Sequence, residues 1–167
     1  MTDNIVNENP KVPTSQELFE FFKEFLSKWS GLAVQPVEIS KDEIPNLPLE
    51  LGLMFFEPRI GILVIRASDT FESLLEKSAS GGKTRETRLG FFTEIVVLFW
   101  NRLVSKFWGM ESRKLKQALF KKSIPLDWPN RQPDAAIAVF VEKELVEIRL
   151  WSPLLEGEME NWKKSRK

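Results

Sequence analysis

The longest run of regularly spaced apolar positions lies between Thr84 and Met110 and predicts a long central helix. At about 100° per residue, six of its apolar side chains fall on one side, which is typical of a helix stripe that faces a core. These six are Leu89, Phe92, Val96, Phe99, Leu103 and Phe107.

The opposite side of this helix is a narrow polar strip between apolar flanks. A helix that is apolar nearly all round is either buried on both sides or offers a surface to a partner. The strip therefore contains the candidate partner-contacting residues. It consists of Glu94, Asn101 and Ser105, flanked by Phe91, Val97 and Leu98.

Shorter patterns predict the elements on either side. Thr14 and Glu17 have the spacing of a capping box, and Gly31 stands where a glycine ends a helix, so a helix is predicted over about 15–30. A short helix follows Ser68 or Asp69 and ends at 78–82, and another short helix is predicted within 111–123. Two hairpins are predicted from strand-like runs at 49–56 and 61–67 and at 135–141 and 145–151, with a further short strand within 33–39.

This order of elements predicts an α+β domain, in which an antiparallel sheet built from hairpins carries the N-terminal helix and the long central helix. The run 61–67 is nearly all apolar and is predicted to be a central strand. We expect one domain over 14–152, a flexible arm over 1–13 and a tail over 153–167.

The closing strand alternates between apolar and more polar positions, which predicts one polar face. Its polar face carries Glu147, Arg149 and Trp151. Trp151 and Trp128, which lies in a proline-rich loop, are the two tryptophans expected at an interface, because large amphipathic rings anchor binding.

Composition excludes several kinds of chemistry. The chain has 24 basic and 24 acidic residues, so no net charge attracts it to nucleic acid. It has no histidine, cysteine or tyrosine, which excludes thiol catalysis, Ser-His-Asp chemistry and zinc hydrolysis. No metal or cofactor is expected. The basic residues between Arg113 and Lys122 are interpreted as a solvated helix face.

Targeting and membrane signals are not recognisable. The first 16 residues are polar and acidic, unlike a signal peptide. Glu94, Asn101, Arg102 and Lys106 interrupt the central helix well short of the roughly 20 apolar residues that a membrane span needs. A cytoplasmic protein without a membrane segment is expected.

The order of elements over about 15–152 resembles the CheC/CheX/FliY family of bacterial chemotaxis phosphatases, and CheX-like members most of all. The likeness is one of pattern. SQELFEFFKEFLSKWSGLAVQPVE is similar to the family's first helix and strand, and ELGLMFFEPRIGILVIRAS to its first hairpin. DTFESLLEKSAS is similar to its short helix, and FVEKELVEIRLW to its final strands.

The resemblance implies a role for the central helix. The family motif there is a glutamate followed three residues later by an asparagine. The resemblance implies that this glutamate contacts a lysine of the phosphorylated response regulator CheY. It also implies that the asparagine orients the water that attacks the aspartyl phosphate. Glu94 matches the first position, but Val97 stands at the second, and its side chain forms no hydrogen bond. Asn101 returns to nearly the azimuth of Glu94, about 10 Å further along the helix.

Three hypotheses follow. In the first, the protein binds and dephosphorylates a CheY-type regulator through Glu94 and Asn101. In the second, it is a non-catalytic binding module of the same fold, as Val97 suggests. In the third, it is a secretion-chaperone-like α+β dimer that holds an extended peptide. The sequence leaves open whether the protein forms a homodimer.

Overall fold

The computed structural model describes residues 12–37, 47–57, 61–78, 90–111, 116–121 and 132–151. The helices of this part are α1 (Ser15–Ser30), α2 (Phe71–Ser78) and α3 (Phe91–Trp108). Its strands are β1 (Val34–Pro36), β2 (Leu49–Glu57), β3 (Gly61–Ala67), β4 (Lys116–Lys121), β5 (Ala135–Val141) and β6 (Glu144–Trp151).

The strands form one sheet in the order β1-β5-β6-β3-β2-β4, and every neighbouring pair is antiparallel. The two predicted hairpins, β2-β3 and β5-β6, are joined through the pairing of β3 with β6. The predicted α+β class is confirmed, and 61–67 is a central strand as expected.

The first helix has the ends that the sequence predicted. The Thr14 side chain accepts from the Glu17 backbone N–H at 3.0 Å, and Glu17 accepts in return from the Thr14 N–H. Gly31 adopts φ 73°, the left-handed conformation that glycine takes without steric cost, and its N–H donates to the Ser27 carbonyl. The buried side of α1 then packs against β1 and β5.

The long helix lies on the same face of the sheet, next to α1, and contacts β2. Phe99 of α3 is surrounded by three rings of α1, those of Phe21, Phe22 and Phe25, at centroid distances of 5.2 to 5.5 Å. Such aromatic pairs favour particular ring orientations, so they fix the rotation of α3 about its own axis. The five described members of the predicted inward stripe, Phe92, Val96, Phe99, Leu103 and Phe107, are all buried.

The centre of the second face of the sheet is also buried, which corrects one prediction. Trp151 was expected at an interface, but only 1% of its surface is exposed. Glu147 on the same face is 4% exposed, and both of its carboxylate oxygens accept hydrogen bonds from arginines, one from Arg66 and the other from Arg149. The period-2 pattern identified the side chains that share this face, but it was wrong about their exposure.

The second correction concerns the predicted short helix within 111–123, where Lys116–Lys121 is the edge strand β4. It pairs with β2 in a register that places Leu119 opposite Leu53. Leu119 is 37% exposed. Lysine, glutamine, alanine and leucine all favour helix, but the hydrogen-bonding edge of β2 overrides this local preference.

Several predictions lie outside the described residues. They concern the first 11 residues of the arm, the tail from 152 onward, the helix residues 84–89, Trp128, and the side chains of Arg113 to Lys116 and of Phe120 to Lys122. Within the described part, no helix is both long and apolar enough to cross a membrane.

Candidate functional site

The start of α3 is fixed by a contact from another helix. The Phe92 backbone N–H donates to Oε2 of Glu72 in α2 at 3.1 Å, so a distant carboxylate satisfies one of the donors that a helix N-terminus leaves free. Gly90 precedes the helix with φ 84°, and a Cβ there would lie 2.7 Å from the same Glu72 oxygen.

We predict that Glu72→Ala lowers the free energy of unfolding by about 1 kcal/mol, the usual effect of removing a helix-capping side chain. Urea denaturation followed by circular dichroism measures this change. The control is Glu76→Ala, since Glu76 is an exposed glutamate of the same helix. Equal stability of the two variants would contradict a capping role for Glu72.

The six candidate residues lie together on the outward side of α3. Leu98 is 37% exposed and Ser105 is also exposed, whereas the other four are partly buried. At 1.5 Å per residue, the strip from Phe91 to Ser105 is about 20 Å long. The structure thus brings together Phe91, Glu94, Val97, Leu98, Asn101 and Ser105 as one continuous face, which we call the outer face of α3.

Glu94 is the acidic residue of this face. It lies in the first turn of α3, where the helix dipole favours a negative charge. Among the described residues, no lysine or arginine forms an ion pair with it. Glu94 is also partly exposed. Its carboxylate is therefore available to a cation on a partner.

The amide group of the outer face lies far from this carboxylate. Asn101 is seven residues after Glu94, so its side chain emerges within about 20° of the same azimuth but about 10 Å further along the axis. Val97 occupies the position one turn after Glu94 and is partly buried. A carboxylate and an amide this far apart cannot both contact the same atom of a ligand.

Two cations border the outer face on the side of α1, and the sequence prediction did not include them. The Arg102 guanidinium lies over the ring of Phe25, with its Cζ 5.5 Å from the ring centroid. The Lys106 ammonium lies over the ring of Phe21 at 5.7 Å. The two cations are four residues apart, and so are the two phenylalanines that they cover. This spacing indicates that each pair lies on one side of its helix.

The outer face therefore has a defined polarity, with a carboxylate near its N-terminal end, apolar contact area in the middle and an amide towards its C-terminal end, and two cations border it on the side of α1. It carries no nucleophile beyond the hydroxyl of Ser105. Such a surface is suited to contacting a folded partner of complementary charge. The fold and this face together define an α+β domain whose long, largely buried helix has one partly exposed side with a carboxylate and an amide on it.

Solved structures with a similar arrangement belong to chemotaxis proteins. A candidate chemotaxis protein of Desulfovibrio vulgaris Hildenborough is 11% identical, with 80% of this chain and 92% of that chain covered and a TM-score of 0.48. CheX of Vibrio vulnificus is 14% identical, with 78% and 94% covered and a TM-score of 0.47. A CheC-like superfamily protein of a Shewanella species is 16% identical, with 78% and 92% covered and a TM-score of 0.44.

These proteins are of the CheX and CheC-like class that the sequence pattern resembles. No protein-family model and no curated protein sequence matches the chain. At such low identities, the case for function rests on the residues of α3.

Proposed function

We propose that this chain is a cytoplasmic, chemotaxis-related signalling protein that binds a phosphorylated CheY-type response regulator through the outer face of α3. Glu94 is the central contact and pairs with a lysine of the regulator. Phe91, Val97, Leu98 and Ser105 supply the surrounding contact area, and Asn101 supplies a hydrogen-bonding amide at the far end.

The observation that carries this proposal is the position of Glu94 and the state of its carboxylate. Its carboxylate lies on an outward helix face, has no cationic partner among the described residues, and has the partly exposed Val97 and Leu98 as its neighbours one turn further along. The aromatic contacts between α1 and α3 hold that face in a fixed orientation, so little conformational entropy is lost when a partner binds.

The same face favours binding over dephosphorylation. Hydrolysis of an aspartyl phosphate requires a water molecule held in line with the phosphorus atom, and a fixed hydrogen-bonding group has to hold it. The side chain one turn after Glu94 is the isopropyl group of Val97, which forms no hydrogen bond. Asn101 is one turn too far along the axis to act in the same place as an amide at 97.

We expect Glu94→Ala to weaken binding of the phosphorylated regulator about 30-fold, or about 2 kcal/mol, because the regulator's lysine then loses its counter-charge at a partly buried contact. The measurement is calorimetric titration with purified CheY-type regulators in their beryllium fluoride form, which mimics the aspartyl phosphate.

Two controls separate this effect from a change in folding. Glu76→Ala removes an exposed glutamate of α2 and should leave the affinity unchanged. Thermal unfolding of Glu94→Ala should show a loss of no more than about 1 kcal/mol, the contribution of one charge at a helix N-terminus. Unchanged affinity of Glu94→Ala, or no binding of any regulator by the unaltered protein, would refute the proposal.

The alternative of a secretion-chaperone-like dimer predicts a different result. A dimer built on the long helix would cover the outer face of α3, and Leu98→Asp would then convert the dimer into a monomer. Sedimentation velocity of both proteins tests this. Under the regulator-binding proposal, Leu98→Asp weakens regulator binding and leaves the sedimentation coefficient unchanged.

A further inference from the structure

A cavity lies at the β1 edge of the sheet, far from the outer face of α3. Its volume is about 340 Å³, at the lower end of the range for small-molecule pockets. The strand β1 ends at Pro36, opposite Val139, whereas β5 begins four residues before that position, at Ala135. The cavity occupies the space that β1 leaves beside the start of β5. Its other walls are the first turns of α1 and two charged residues of β6, Glu147 and Arg149.

Two alanines of β5 make room for this cavity. Ala136 lies opposite Arg149 and Ala138 lies opposite Glu147 in the pairing of β5 with β6, so these four side chains share one face of the sheet. An alanine side chain ends at Cβ and leaves the space above β5 empty. The longer Arg149 side chain of the neighbouring strand therefore lines the cavity.

The edge of β5 is closed to an added strand at this point. The Ala136 backbone N–H donates to Oγ of Ser15 at 3.3 Å, and the Ala138 carbonyl accepts from the Val37 N–H at 3.0 Å. An extended peptide binds a sheet edge through main-chain groups of this kind. Because these two groups already have partners, the cavity is suited to a small molecule that side chains hold.

Arg149 is the charged group of the cavity with hydrogen-bonding capacity to spare. Its Nε and Nη2 donate to Oε2 of Glu147 at 3.3 and 3.1 Å, and its Nη1 has no partner in the described part of the chain. Glu147 is shared, because its other oxygen accepts from Arg66. The Arg149 side chain is 17% exposed, against 5% for Glu147. The accessible charge is thus the guanidinium, which favours an anion.

The remaining walls indicate what kind of anion fits. Phe19, Val37 and Ile137 give the cavity apolar sides, and such sides bind the body of an organic ligand while a few polar groups fix its orientation. The Nη1 group and the second hydrogen of Nη2 present two parallel N–H bonds, which match the two oxygens of a carboxylate.

We propose that this cavity binds a small organic acid, whose carboxylate pairs with Arg149 and whose apolar body lies against Phe19 and Ile137. The site is separate from the outer face of α3, since β5 is three strands away from β2, the strand that α3 contacts. The inference therefore does not depend on the proposed function.

The probe is benzoate, titrated into isotope-labelled protein and followed by the NMR shifts of the Ala136 and Ala138 amides and of the Arg149 side-chain N–H. The expected Kd is about 1 mM, which is ordinary for so small a ligand. Benzamide has the same shape without the charge and should bind about tenfold more weakly, because a neutral hydrogen bond replaces a charge-assisted one. Absence of a saturable shift with benzoate, or equal binding of benzamide, would overturn the proposal. Inorganic phosphate that binds as tightly as benzoate would also overturn it, because the apolar walls would then contribute nothing.

Two variants locate the binding. Arg149→Ala should weaken benzoate binding about tenfold, the effect of losing one charge-assisted contact. Ala136→Leu should abolish it, because the larger side chain fills the cavity while Arg149 keeps its charge. The control is Lys143→Ala, which removes an exposed cation of the same hairpin and should leave the Kd unchanged. Thermal unfolding shows which variants are folded. A folded Ala136→Leu variant that binds benzoate as tightly as the unaltered protein would place the ligand elsewhere and overturn the inference, whatever the behaviour of Arg149→Ala.

Discussion

Glu147→Ala is expected to lower the free energy of unfolding by about 3–5 kcal/mol, the usual effect of removing one partner of a buried ion pair. Glu147 lies in the central strand β6, directly opposite Arg66 of the central strand β3. Both residues are more than nine-tenths buried, at 4% and 8% exposure. The variant leaves a buried guanidinium without its counter-charge, and that cost exceeds the loss of the hydrogen bonds alone.

The arrangement of charges around Arg66 makes a sharper experiment possible. Glu50 of β2 lies opposite Arg66 on its other side, and its Oε2 is buried without a hydrogen-bond partner in the described part of the chain. A double-mutant cycle of Glu50→Ala and Glu147→Ala tests whether Glu50 compensates for the loss of Glu147. If it does, the double variant is less stable than the sum of the two single changes predicts.

Urea denaturation at pH 7 measures these stabilities, with Glu76→Ala on the exposed side of α2 as the control for loss of a surface carboxylate. A Glu147→Ala variant as stable as Glu76→Ala would show that the Arg66–Glu147 pair contributes nothing to folding.

The ends of helices could be predicted only where the capping groups are local. Thr14, Glu17 and Gly31 satisfy the ends of α1 from within a few residues, so the sequence pattern was sufficient. At the start of α3, the acceptor is Glu72, which lies 20 residues earlier in the chain and on another helix. Sequence spacing carries no signal for a contact of this kind, because tertiary packing creates it.

For the strands, the sequence predicted which side chains share a face, but not whether that face is buried. The alternation in β6 correctly sorted Val146, Ile148 and Leu150 from Glu147 and Trp151, since neighbouring side chains of a strand point to opposite faces. It could not indicate that the second face would be buried. β4 was missed because a six-residue segment with good helix formers has no periodicity strong enough to oppose that preference.

The sequence predicted which residues of α3 form the candidate site, but it did not predict the cation that lies beside them. The period of 3.6 residues places Glu94, Val97, Leu98 and Asn101 on one side of α3, and the structure has them there, with none of the four fully buried. Arg102 was omitted because its position depends on α1, whose Phe25 ring it covers. Periodicity shows which residues share a side of one helix, whereas the neighbouring helix determines which of them are held in place.

Val97→Asn is expected to give the protein a phosphatase activity. Dephosphorylation of the bound regulator should be about a hundredfold faster than with the unaltered protein, because correct positioning of a reacting group has an effect of this order. The substitution places an amide one turn after Glu94, about 4.5 Å along the axis. There it can orient a water molecule that attacks phosphorus as the bond to the aspartate oxygen breaks, releasing inorganic phosphate. Because Val97 is partly exposed and asparagine has a similar helix propensity, the fold should tolerate the change.

The measurement is the decay of radiolabelled regulator phosphate under saturating protein. Val97→Thr is the matched control, because it adds a polar group of nearly the same shape as valine but no amide, and it should leave the decay at the rate of the unaltered protein. In the Val97→Asn background, Asn101→Ala should keep the gained activity, since the new amide at 97 and not Asn101 then orients the water. Binding of the regulator by Val97→Asn without faster decay would mean that the phosphoryl group does not lie beside position 97. In that case the two-turn spacing between Glu94 and Asn101 reflects the way in which this protein binds its partner. The loss of an amide at position 97 would not be the reason why the protein lacks phosphatase activity.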